Sequence, residues 1–119
     1  HVSVSFEDGE NYKGQWEDGI SGKGTLTFKN GDSYEGDFKN GKMNGNGTYC
    51  WKDQAYYTGS WKENQMNGNG TYFYDADQTE YLSGTFRDNK PYGKATYFCE
   101  NHKYTTIWSD GVCTKISYE

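Results

Sequence analysis

Few residues in this chain have the type and spacing to do chemistry. Its two histidines are His1 and His102. His1 is terminal, and His102 falls in Glu100-Asn101-His102-Lys103, read as a turn between repeats, where a solvated imidazole is the simplest account. Cys50, Cys99 and Cys113 leave one thiol unpaired under any scheme, and none stands in a C-x-x-C pair. That disfavours both a zinc site and a disulfide framework, and leads us to expect a reduced, cytoplasmic chain. No hydroxyl or thiol has a readable base partner. Glu35 and Asp37 alternate with larger residues and are expected on a solvated face. The pairs Gly22/Gly24, Gly45/Gly47 and Gly68/Gly70 do not open a helix, as a nucleotide-binding loop would. Asn46-Gly47-Thr48 and Asn69-Gly70-Thr71 match the N-glycosylation pattern, but the repetition of the sequence generates both. The expectation is no catalytic residue, no metal and no cofactor. The residues describe no enzyme, though a longer parent protein has room for an enzymatic domain elsewhere.

What remains is binding chemistry in aromatic rings. Aromatics make up 18% of the chain against 32% for all apolar residues, so Tyr, Trp and Phe supply over half of the apolar total. Each ring can bury about 150–250 Å², which argues against the disorder that a low apolar fraction suggests. The net charge of −5 disfavours nucleic acid, which needs clustered cations. It counts equally against anionic membrane lipid.

The rings recur with a period. Aligned on the middle glycine, the copies are Tyr12-x-Gly14-x-Trp16, Tyr34-x-Gly36-x-Phe38 and Tyr57-x-Gly59-x-Trp61, then a degraded Leu82-x-Gly84-x-Phe86 and Tyr104-x-Thr106-x-Trp108. They stand 22 to 25 residues apart. Between each copy and its G-x-G partner lies a turn dipeptide: Asp18-Gly19, Asn40-Gly41, Glu63-Asn64 or Asp88-Asn89. Such pairs suit tight hairpin turns, where both central residues need φ > 0. The links, such as Lys29-Asn-Gly-Asp32, carry the same turn chemistry. Sixteen regularly spaced glycines all but exclude helix. Each repeat therefore reads as a β-hairpin, and the chain as an elongated, all-β, single-layer antiparallel sheet. One face alternates glycine with rings, each glycine leaving room for a neighbouring ring. The other, with Lys13, Thr25, Glu35, Thr48, Thr58 and Thr71, is expected to be solvated.

The units 12-YKGQWEDGISGKGTLTF-28 and 34-YEGDFKNGKMNGNGTYCW-51 resemble MORN repeats, whose signature is Y-x-G-x-[WF]-x-x-G-x-x-x-G-x-G. The resemblance covers residues 2 to about 111. It divides the chain into a partial repeat 1–11, repeats 12–33, 34–56, 57–81 and 82–103, and a degenerate repeat or cap 104–119, and the whole reads as a fragment of a longer protein. It departs from the signature in repeat one, a residue short before Gly22, and in the lengthened link 75-DADQT-79.

A single layer cannot bury every ring against itself, so the aromatic face is the candidate site. Its expected partner-binding residues are Tyr34, Phe38, Tyr49, Trp51, Tyr57, Trp61, Tyr72 and Tyr74. The MORN resemblance implies a non-catalytic scaffold that takes a peptide or amphipathic helix of another protein in an aromatic groove, in a cytoskeletal or ciliary setting. Glycine–aromatic hairpins also resemble bacterial choline-binding wall repeats, which gives the alternative of an aromatic cage for a quaternary ammonium. Some MORN proteins dock on phosphoinositides, a third reading that the charge disfavours. The exposed end strands are further candidates for pairing two arrays into a homodimer.

Overall fold

The structure, a computed structural model, describes residues 2–118. His1 and Glu119, at the ends of the first and last expected segments, lie outside the described residues. The chain forms one sheet of eleven antiparallel strands in sequence order. They are β1 (Val2–Ser5), β2 (Asn11–Trp16), β3 (Ile20–Thr27), β4 (Ser33–Lys39), β5 (Lys42–Cys50), β6 (Tyr56–Lys62), β7 (Gln65–Phe73), β8 (Glu80–Arg87), β9 (Lys90–Cys99), β10 (His102–Ser109) and β11 (Val112–Tyr118). The described array measures 48 × 24 × 20 Å. The expected all-β, elongated, single-layer meander is what forms.

The hairpin turns follow from local chemistry. Asn40, Glu63, Asn64, Asp88 and Asn89 all take positive φ, as does Gly41, giving two-residue turns closed by pairs such as Lys39 with Lys42. The first hairpin lacks one residue, so Trp16 pairs with Ile20 across the three-residue loop Glu17–Gly19. The turns also brace one another. The Asn64 amide donates to the Met43 carbonyl (3.0 Å) while its Oδ1 accepts the Met43 amide (2.8 Å). Asn89 repeats this on Met66, at 3.1 and 2.8 Å.

Two sequence expectations need correction. The early links do not repeat the hairpin turn chemistry: only one residue in each takes positive φ, namely Gly9, Gly31, Gln54 and Gln78, because the chain spans a longer gap there. His102 is not in a turn; it opens β10 opposite Cys99, and Glu100-Asn101 form the turn. Residues 112–118, in the segment expected to be a degenerate repeat or cap, form β11, a terminal strand beside β10 whose side chains are all exposed.

Each hairpin from β2 to β9 also carries a bulge absent from the sequence reading. Gly36 pairs with Gly47 and Phe38 with Met43, so Asp37 alone faces Asn44–Asn46. Gly22, Gly45, Gly68 and Gly93 sit in these bulges with φ of +79°, +101°, +101° and +73°. Opposing side chains fill two of them: Gln15 accepts the Lys23 amide (2.7 Å) and Asp37 the Asn46 amide (3.1 Å). Bulges of this kind bend and twist a strand pair.

The core is built as the glycine pattern predicts. Gly36 and Gly47 pair across β4 and β5, and Tyr34 lies over them, fully buried, with its hydroxyl donating to the Asp37 carbonyl (2.8 Å). Tyr12 and Tyr57 do the same one repeat away, over Gly24 and Gly70. Tyr34 and Tyr57 are each gripped edge-on by their own hairpin's ring and the next one's. Tyr34 meets Phe38 at 5.0 Å and Trp61 at 5.4 Å; Tyr57 meets Trp61 at 5.3 Å and Phe86 at 5.0 Å. Met43, Met66, Leu26 and Leu82 fill the gaps.

Candidate functional site

The eight expected partner-binding residues divide into two groups. Tyr34, Phe38, Tyr57 and Trp61 are the core itself, no more than 5% exposed: Tyr34 and Tyr57 lie on glycine backbone, and Phe38 and Trp61 pack edge-on against them. The Trp61 indole is fixed further by donating to the Gly47 carbonyl (3.1 Å). Tyr49, Trp51 and Tyr72 are half-buried, and Tyr74 is 42% exposed.

These last four form a continuous ladder toward the link end of the sheet. Ring centroids are 4.8 Å apart from Tyr49 to Trp51, 5.1 Å from Trp51 to Tyr72 and 5.0 Å from Tyr72 to Tyr74. Residues not singled out from sequence extend it: Phe28 lies 5.5 Å from Tyr49, and beyond Tyr74 come Tyr97 (6.3 Å) and Tyr104 (6.0 Å further). The signal was legible, since the early links open on a ring: Phe6, Phe28, Trp51 and Tyr74.

Carboxylates run beside the ladder. The Tyr49 hydroxyl donates to Asp32 Oδ2 (2.8 Å), while the Lys52 amide donates to Oδ1 (2.9 Å). Burial pushes the Asp32 carboxyl up, but bonds from Tyr49, Lys52 and Asn30 and the Lys52 charge together hold it below its ordinary value. The Tyr97 hydroxyl makes the equivalent bond to Glu80 two repeats further on. Burial raises the pKa of Tyr49, with Asp32 adding to it, and burial raises those of Tyr72 and Tyr74, with Asp53 and Glu80 as the respective second causes.

The opposite face is less uniform than expected. Its middle is polar, with Thr48 bonded to Thr58 (3.1 Å) and Thr71 to Ser83 (3.0 Å). Toward the links, however, Tyr56, Phe73, Tyr81 and Phe98 form a row with centroids 4.6, 5.7 and 4.9 Å apart, the outer two pairs stacked and the middle one tilted. Adjacent aromatics such as Tyr56-Tyr57 and Tyr72-Phe73 put one ring on each face, which period-two alternation requires. A shallow groove of about 680 Å³ on this face is floored by glycine backbone and edged by Lys13, Lys23 and Glu35. Among the described residues no three His, Cys, Asp or Glu side chains gather as a metal site, and the three thiols are free. Among the described residues no helix is long and apolar enough to cross a membrane.

An open sheet of hairpin repeats, with a ring ladder along one face, defines a β-repeat array whose surface suits binding. The chain belongs to the MORN repeat family: its repeat profile matches residues 12–33, 34–56, 57–77 and 83–104. The first two matches share the bounds read from the sequence, and the last two differ around the lengthened fourth link. No curated protein is significantly similar to the chain. MORN repeats are in general protein- or membrane-interaction repeats and in general non-enzymatic.

Proposed function

We propose that this array is a non-catalytic scaffold module that docks a peptide or helix of a partner protein along the Tyr49–Trp51–Tyr72–Tyr74 ladder. The observation that carries the reading is the ladder's accessibility: these rings touch one another in series yet keep surface open, while the rings beneath them are sealed. Rigid, amphipathic Tyr and Trp surfaces are what binding hot spots use. Carboxylates along the same edge disfavour an anionic bilayer as the partner.

Panning a random-peptide library on the immobilised array tests this. Selected peptides are expected to lose binding to Trp51→Ala/Tyr74→Ala; should that variant not fold, Tyr74→Ala alone serves, since its ring is 42% exposed. Equal binding to the variant, or flotation of the wild type with phosphoinositide vesicles at physiological salt, refutes the reading.

A further inference from the structure

The links differ in one respect that bears on what the ladder takes. The second link, 28-FKNGD-32, and the third, 51-WKDQA-55, each follow the opening ring with a lysine, Lys29 and Lys52. Lys29 packs over Gly9 and Lys52 over Gly31, each covering the preceding link's glycine. Lys52 also places its charge beside Asp32, next to the Tyr49 ring. The chain thus supplies its own cation at that corner. In the fourth link, 74-YDADQTE-80, the lysine position holds Asp75.

The result is a corner with rings and carboxylates but no cation of its own. Trp51, Tyr72 and Tyr74 follow one another with successive centroids 5.1 and 5.0 Å apart and interplanar angles of 43° and 57°. Asp53 lies two residues past Trp51 in the third link, its Oδ1 accepting the Ala55 amide (3.1 Å), and Glu80 accepts the hydroxyl of Tyr97, whose ring is 6.3 Å from Tyr74; their charges add to burial in raising the Tyr72 and Tyr74 hydroxyls. Among the described residues only Lys23 and Asp37 form an ion pair, at 3.3 Å, and they lie on the opposite face. No described lysine or arginine is paired with Asp53, Asp75 or Glu80. At the other end of the sheet the chain does place a guanidinium on a ring, Arg87 over Tyr92 at 5.0 Å.

We propose that the Trp51–Tyr72–Tyr74 corner, flanked by Asp53 and Glu80, receives an arginine side chain of the partner segment. The guanidinium plane stacks on an aromatic face, and its N–H fork bonds a carboxylate at the rim; a lysine ammonium does only one of these well at a time. This rests on the docking reading above and adds the chemistry of the occupant.

The probe is a fluorescein-labelled (Arg-Pro-Pro)4 peptide, whose extended form suits an aromatic row and offers an arginine in any register. Anisotropy is expected to show saturable binding that weakens about tenfold for Asp53→Asn/Glu80→Gln, the worth of one stacked, charge-assisted contact. The same peptide with citrulline for arginine is expected to bind about tenfold more weakly, since it keeps the shape without the charge. Glu17→Gln/Glu35→Gln makes the same change in net charge away from the corner and is expected to leave binding unchanged. Equal loss in both double variants, equal binding of the citrulline peptide, or choline displacing the probe with full effect overturns the inference. If library-selected peptides depend on Tyr74 but bind Asp53→Asn/Glu80→Gln normally, the arginine assignment falls and the docking reading stands. If none depends on the rings, both fall.

Discussion

Gly47→Ala tests the ring-on-glycine core most directly. A Cβ at Gly47 would lie 2.1 Å from the Tyr34 hydroxyl oxygen and 2.3 Å from Cζ. The ring has nowhere to go: Tyr34 is fully buried and held edge-on by Phe38 at 5.0 Å and Trp61 at 5.4 Å. Overpacking plus the weakened hydroxyl bond to Asp37 should cost about 2–3 kcal/mol, or roughly 10 °C in Tm for a chain of this size. The chain contains its own control. Where the glycine row reaches Ala95, buried to 3% exposure, the anchor tyrosine has become Leu82. Tyr34→Leu alone should cost about 3 kcal/mol through lost packing. The double variant Tyr34→Leu/Gly47→Ala rebuilds the Leu82/Ala95 arrangement and should fall short of additivity by about 1–2 kcal/mol. Urea denaturation of the four proteins, with amide exchange read in β4–β6, measures this. Additivity within about 0.5 kcal/mol would refute the argument, because independent sites add to that precision.

Two further predictions concern the turns and the buried hydroxyls. Asn64→Ala removes the acceptor for the Met43 amide and forces alanine to a φ of +70°, so it should cost about 2 kcal/mol in urea denaturation, whereas Asn64→Gly loses the bond alone and should cost about 1; equal costs would show that the backbone conformation contributes nothing. Burial raises the Tyr57 hydroxyl to about 12 and also pushes Tyr12 and Tyr34 up. The unfolded chain's tyrosines ionise near pH 10, so this stability is full below that pH and falls as pH rises toward 12. Denaturation midpoints should be flat from pH 8 to about 9.5 and drop steeply by about 11; a flat profile through about pH 11.5 contradicts the burial argument.

What is local and repeated follows from residue types and their spacing. Asn40-Gly41 and Asp88-Asn89 fix hairpin turns because few other pairs tolerate φ > 0 twice in succession. Period-two alternation fixed the shared face of Tyr34, Gly36 and Phe38, and with it the layer of rings on glycines. Which rings remain open depends on contacts between successive hairpins. Tyr34 and Tyr49 are paired residues on the same face, yet one is fully buried and the other half exposed. The difference arises because Phe38 and Trp61 of two hairpins close edge-on over Tyr34, with the bulge at Gly45 breaking the register between them. A pattern of residue types states the face a ring occupies. Its cover is completed by residues more than twenty positions away, as Trp61 is from Tyr34, and that is settled by how successive hairpins twist and stack.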